Sequence, residues 1–117
     1  MPYKILIVDD SKLARMAVGK ALNALRPDWR RLEATNADEA LALVNQAHID
    51  LALVDFNMPG RDGISLASDF RRLRPEMPVA VVSANIQHEV VERAADVGAQ
   101  FLPKPLPPHS IVSLLYV

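Results

Sequence analysis

The chain of 117 residues has no cysteine, which removes disulfides, thiolate catalysis and zinc–cysteine sites from consideration. Its formal net charge of -1 leaves no basic excess for nucleic acid or an anionic membrane, so neither is expected as a direct partner. The apolar run after Met1 is too short for a signal peptide and ends in two acids, and no segment could span a bilayer. A soluble, cytoplasmic protein is the expectation. Glycine is scarce at 4 residues, and none lies just after the first apolar run, so a nucleotide-cradling loop is also missing. With 50% hydrophobic residues the chain can still build one core, and residues 1–117 read as a single domain.

Against this background two short apolar runs stand out, because both end on aspartate. Ile5-Leu6-Ile7-Val8 leads into Asp9-Asp10, and Leu51-Ala52-Leu53-Val54 leads into Asp55. Such continuous runs mark strands buried on both faces, as in a parallel sheet. Ligands of open parallel sheets bind at the carboxyl ends of the strands. Carboxylates gathered there repel one another unless a cation sits between them.

Between and beyond these runs, helical and strand patterns alternate. Ser11 can cap a first helix whose stripe is Leu13, Met16, Ala17, Leu22 and Leu25, stopped by Arg26-Pro27-Asp28. A weak strand over residues 31–35 follows. Asn36 and Glu39 then have capping-box spacing ahead of a stripe of Ala37, Ala40, Leu41, Val44 and Ala47. After Asp55 comes the turn-rich Met58-Pro59-Gly60-Arg61-Asp62-Gly63, then a third helix with Ile64, Leu66, Ala67, Phe70 and Leu73 facing inward. Pro78-Val79-Ala80-Val81-Val82-Ser83 reads as a buried strand, residues 86–97 as a fourth helix capped by Gly98, and Gln100-Phe101-Leu102-Pro103 as a last strand. One brief amphipathic stretch follows His109. His48, His88 and His109 lack ligand-like spacing, and Arg71, Arg72 and Arg74 read as a solvated helix face.

Five alternating strand and helix patterns predict an α/β, doubly wound parallel sheet with helices on both faces. Five strands fit the flavodoxin-like order 2-1-3-4-5, whose switch point lies between the first and third strands. Asp9, Asp10 and Asp55 therefore meet in one crevice, into which Ser83 and Lys104 also open. Hard oxygen donors suit Mg²⁺, while a hydroxyl and an ammonium suit the remaining oxygens of a phosphoryl group. A carboxylate can itself be the nucleophile and become an aspartyl phosphate.

At these residues the chain resembles the receiver domain of two-component response regulators, over essentially its whole length. The resemblance rests on Asp9-Asp10, on Asp55 with Phe56-Asn57-Met58-Pro59-Gly60-Arg61-Asp62-Gly63, on Ser83-Ala84 and on Lys104-Pro105. It implies that Asp55 is the phosphoacceptor, served by a sensor histidine kinase or a histidine phosphotransfer protein. It further implies Mg²⁺ held by Asp10, Asp55 and the backbone carbonyl of Asn57, with Asp9 assisting directly or through water. Ser83 and Lys104 would take phosphoryl oxygens, and Phe101 occupies the position of the family's switch aromatic. Output would then pass to a downstream effector protein or a missing C-terminal output domain, and a phosphorylation-dependent dimer is compatible with it.

Two other classes compete with this reading. A Mg²⁺-dependent aspartyl-phosphate phosphohydrolase would want a second acid at position 57, where Asn57 stands, so the chain is not expected to be an enzyme. An FMN binder on the same fold would want a phosphate loop where Asp9-Asp10-Ser11 lies. A phosphorylation-silent interaction module remains the third alternative. Pro105, Pro107 and Pro108 delay the final helix, in which Ile111, Val112, Leu114 and Leu115 are apolar. Either that helix is short or the chain is part of a longer protein. Asn57 and Asn85, both polar and flanking the site, suggest a phosphoryl lifetime that is not unusually long.

Overall fold

The computed structural model describes residues 3–104 apart from Asn85, and Leu25 by its backbone alone. The expected final helix and the residues from Pro105 onward lie outside the described residues. Strands β1 (Lys4–Val8), β2 (Arg30–Ala34), β3 (Leu51–Asp55), β4 (Val79–Ser83) and β5 (Gln100–Pro103) alternate with helices α1 (Lys12–Leu25), α2 (Ala37–Gln46), α3 (Gly63–Leu73) and α4 (His88–Asp96). All strand pairs are parallel, in the order β2-β1-β3-β4-β5. The doubly wound sheet is therefore the one the alternation predicts. Among the described residues no helix is long and apolar enough to cross a membrane.

The continuous apolar runs are explained by burial on both faces. Leu6, Val8, Ala52, Val54, Val79 and Val81 point to one side, where Ala40, Val44, Leu66, Phe70 and Ala94 from α2, α3 and α4 meet them. Ile5, Ile7, Leu51, Leu53 and Ala80 point to the other side, packed with Leu22 of α1 and flanked by Val18, Trp29 and Leu102. Successive strand residues face opposite sides, so only a strand covered twice can be apolar throughout.

Helix starts follow the capping chemistry. Ser11 accepts from the Ala14 amide at 3.2 Å, and Asn36 Oδ1 accepts from the Glu39 amide at 2.8 Å. Glu39 reaches back as expected, but to the amide and hydroxyl of Thr35 rather than to Asn36. Gly98, at φ +78°, closes α4 in a left-handed conformation that side chains rarely adopt.

The stripe read for α1 is displaced. Leu13 is 78% and Met16 54% exposed, and Ala17 is exposed too. The face turned to the protein runs instead through Arg15, Val18, Gly19 and Leu22. An arginine in the buried stripe conceals it, because its side chain reads as solvent-facing until its partners are known. Leu73, expected in the core from α3, is 41% exposed. Arg71 and Arg74 are not merely solvated either: they donate to the carbonyls of Met77 at 2.9 Å and Val44 at 3.2 Å.

Candidate functional site

Sheet register brings the chemistry together. Val8 stands beside Val54, so the chain leaves β1 and β3 side by side, and Asp55 pairs with Val82 while Ser83 pairs with Pro103. Asp9, Asp10, Asp55, Ser83 and Lys104 consequently arrive at one edge of the sheet. Carboxylate oxygens of Asp9, Asp10 and Asp55 lie within 4.8 Å of one another.

The acids are held very differently. Asp9 is buried, and each of its polar groups is engaged: its amide donates to the Ala34 carbonyl at 3.1 Å, and its carbonyl accepts from Arg15 Nη1 at 2.6 Å. Its Oδ1 accepts from the Ser11 amide at 2.9 Å, and its Oδ2 lies 3.6 Å from Lys104 Nζ. Asp10, by contrast, is exposed and accepts no hydrogen bond among the described residues. Asp55 is only 7% exposed, and its Oδ1 accepts from Lys104 Nζ at 2.7 Å. Lys104 is itself fixed through its amide, which donates to the Ser83 carbonyl at 3.0 Å. Ser83 is fully buried at the end of β4.

The loop after β3 closes tightly over the acceptor strand. The Phe56 amide donates to Val82 and the Gly63 amide to Phe56, both at 2.9 Å. A Cβ on Gly63 would lie 2.2 Å from the Asp55 carbonyl oxygen, so only glycine fits without moving backbone. Asp62 then caps α3, accepting from the Ser65 amide at 2.8 Å and from Arg93 Nη2 at 3.0 Å. Asn57, two residues past β3, is exposed, and Phe101 is half-buried on β5 beside Val81.

Electrostatics follow from this arrangement. Burial, reinforced by the charges of Asp9 and Asp10, raises the pKa of Asp55 above the ordinary carboxylate value despite the bond from Lys104. Burial alone would lower the pKa of Lys104, but the hydrogen bond and charge of Asp55, with Asp9, raise it instead. One ammonium among three carboxylates leaves a net negative crevice of hard oxygen donors. Such a donor set fits a small divalent cation, and Mg²⁺ matches its chemistry.

The comparison with known proteins agrees with this geometry. A family model described as the response regulator receiver domain matches residues 5–116. The chain belongs to the response regulator receiver family. A glycerol metabolism activator of Pseudomonas putida is 39% identical over 98 residues, covering 83% of this chain and 44% of that protein. Among solved structures, a CheY-like receiver domain from Methanospirillum hungatei superposes with a TM-score of 0.89 at 26% identity, covering 99% of this chain and 92% of that one. A response regulator from Burkholderia pseudomallei, solved with a phosphorylated aspartic acid and a calcium ion, gives a TM-score of 0.87 at 25% identity, covering 97% of this chain and 66% of that one. The chain spans about half the length of the curated relatives first matched.

For this receiver domain, the residues singled out from sequence fall into two groups. Asp9, Asp10, Asp55, Ser83 and Lys104 converge at the edge of the sheet, and Asn57 stands on the adjoining loop. Phe101 lies one strand away. Arg15, the capping role of Asp62 and the steric role of Gly63 emerge only from the structure. The spacing of Asp62 and Ser65 is a weak cap signal, whereas nothing in the sequence ties Arg15 to Asp9.

Proposed function

We propose that the chain is a phosphorylation-dependent signalling switch, accepting a phosphoryl group on Asp55 in a Mg²⁺-dependent reaction. The observation that carries this is the partly buried contact of 2.7 Å between Lys104 Nζ and Asp55 Oδ1, set among the three acids. Lys104 favours the ionised, nucleophilic form of Asp55 against its burial.

In this reading the donor is a phosphohistidine of a sensor histidine kinase or histidine phosphotransfer protein. A carboxylate oxygen of Asp55 attacks phosphorus, the P–N bond breaks, and its electron pair returns to the donor imidazole. Asp10, Asp55 and the backbone carbonyl of Asn57 would hold Mg²⁺, with Asp9 in support, as its prior bond to Ser11 suggests. Bound there, Mg²⁺ supplies positive charge to the phosphoryl oxygens and relieves the repulsion among the acids.

The added phosphoryl group brings about −1.5 to −2 charges. It draws the Lys104 ammonium from its bond with the carboxylate and engages the Ser83 hydroxyl. Ser83 leads into the loop before α4, and Phe101 packs partly against the core beneath that helix. The partner-binding surface that changes is therefore α4 with β5 and the segment beyond. Its recipient is a cytoplasmic effector protein or an output domain in the same polypeptide, and a phosphorylation-dependent dimer is one form of response. Asn57 in place of a second acid supports a switch rather than a turnover enzyme.

The test is the intact mass after incubation with acetyl phosphate, with Mg²⁺ or with EDTA, alongside Asp55→Asn. One phosphoryl adduct that requires Mg²⁺ and is lost in the variant supports the reading. A folded protein that acquires no adduct would instead be a phosphorylation-silent module.

A further inference from the structure

A residue outside the acid cluster touches its backbone. Arg15, in the first turn of α1, has a side chain only 11% exposed. Its guanidinium is a fork with two grips: Nη1 donates to the Asp9 carbonyl at 2.6 Å, and Nε donates to Glu33 Oε1 at 2.7 Å. Glu33 sits on β2, in register with Ile7 of β1, so the fork bridges α1, the end of β1 and its neighbouring strand. A buried guanidinium needs an anion, and Glu33 is the anion provided. The carbonyl of Asp9 belongs to the same rigid, planar peptide unit as the amide of Asp10. Fixing that oxygen fixes the plane, and with it the place of the Asp10 Cα from which the side chain sets out.

That matters because Asp10 has no other restraint on its side chain. It is exposed and accepts no hydrogen bond among the described residues, yet its carboxylate lies within reach of those of Asp9 and Asp55. We propose that Arg15, anchored by Glu33, is a positioning residue that orients Asp10 for the divalent cation through the shared peptide plane. The proposal rests on the Mg²⁺-dependent reading of the site. It gives Arg15 an effect opposite in sign to that of its charge. Removing a cation that touches the Asp9 backbone should, by electrostatics alone, tighten metal binding if it does anything, whereas losing the placement of a ligand should weaken it.

The experiment is calorimetric titration of the full chain with Mg²⁺, without phosphodonor, for the wild type, Arg15→Ala and Arg15→Lys. Thermal midpoints are read in EDTA, and the Mg²⁺ concentration giving half-maximal acetyl phosphate labelling is measured in parallel. The Arg15→Ala change should raise both the dissociation constant for Mg²⁺ and the half-saturating concentration about 10-fold, within the range for residues that orient metal ligands. Arg15→Lys keeps the charge but can satisfy only one of the two acceptors, so it should fall between the other two proteins. It also answers the question if the alanine variant does not fold. A lowered midpoint in EDTA with unchanged Mg²⁺ affinity in the lysine variant would make Arg15 a purely structural residue and overturn the proposal. Tighter Mg²⁺ binding in Arg15→Ala would also overturn it, leaving charge as the dominant effect. A wild type that binds no Mg²⁺ would bring down the metal-dependent reading itself and this inference with it.

Discussion

Ionisation of Asp55 is opposed chiefly by its burial and then by the charges of Asp9 and Asp10, while Lys104 acts in the other direction. A carboxyl raised in the folded state stabilises the fold below the ordinary carboxylate range, and that contribution is lost as pH rises through the raised value. Asp55→Asn keeps the shape without the charge. In EDTA at neutral pH it should melt above the wild type, and the gap should shrink as pH falls through the carboxylate range; a lower neutral-pH midpoint would contradict this. Asp62 behaves oppositely. Burial works to raise its pKa, but the bonds from the Ser65 amide and Arg93 outweigh it and the net shift is downward. Its contribution is present above the ordinary carboxylate value and disappears as pH falls through the lowered one. Asp62→Ala should cost about 1 kcal/mol in urea unfolding at neutral pH, as expected for a lost helix cap, and less in acid. The converging acids, the serine and the lysine were legible because each ends or follows an apolar run. Arg15 was not, since a partner brought from another strand leaves no mark on local sequence.

Among the elements, strands were read more faithfully than helices. A strand covered on both faces announces itself as an unbroken apolar run, and β3 and β4 end where such runs end. A helix must be assigned a rotation as well as a span, and α1 offered two overlapping stripes. Leu13 and Met16 supported one, whereas Gly19 and Leu22, with Arg15 between the same turns, form the other. Gly19 faces the protein, where a Cβ would lie 3.3 Å from Nε of Arg31 and press on that side chain. Stability should expose the distinction. Leu13→Ser should change unfolding free energy by less than about 0.5 kcal/mol, as for most surface sites. Leu22→Ala should cost about 2–5 kcal/mol, the range for a large residue truncated in a core. Comparable losses at both positions would mean that α1 is rotated from the arrangement described.

For the molecule as a whole, a bound cation and the fold are thermodynamically linked. If Mg²⁺ binds as proposed, stability should rise with the logarithm of its concentration above the dissociation constant, by about 2.7 kcal/mol at a 100-fold excess, and the thermal midpoint with it. Asp10→Asn should reduce that increment without a matching loss in EDTA, since Asp10 is exposed and bears no structural hydrogen bond among the described residues. The sheet order was legible from the count and alternation of its strands, whereas the tight fit of Gly63 over Asp55 depends on backbone distances that no pattern encodes. The crevice itself is assembled from distant parts: Lys104 reaches an acid 49 positions earlier in the chain, across β4. Parallel pairings of this kind are non-local and are completed slowly during folding. On the proposed reading, a newly made polypeptide would therefore stay unresponsive to phosphodonors until its sheet has closed.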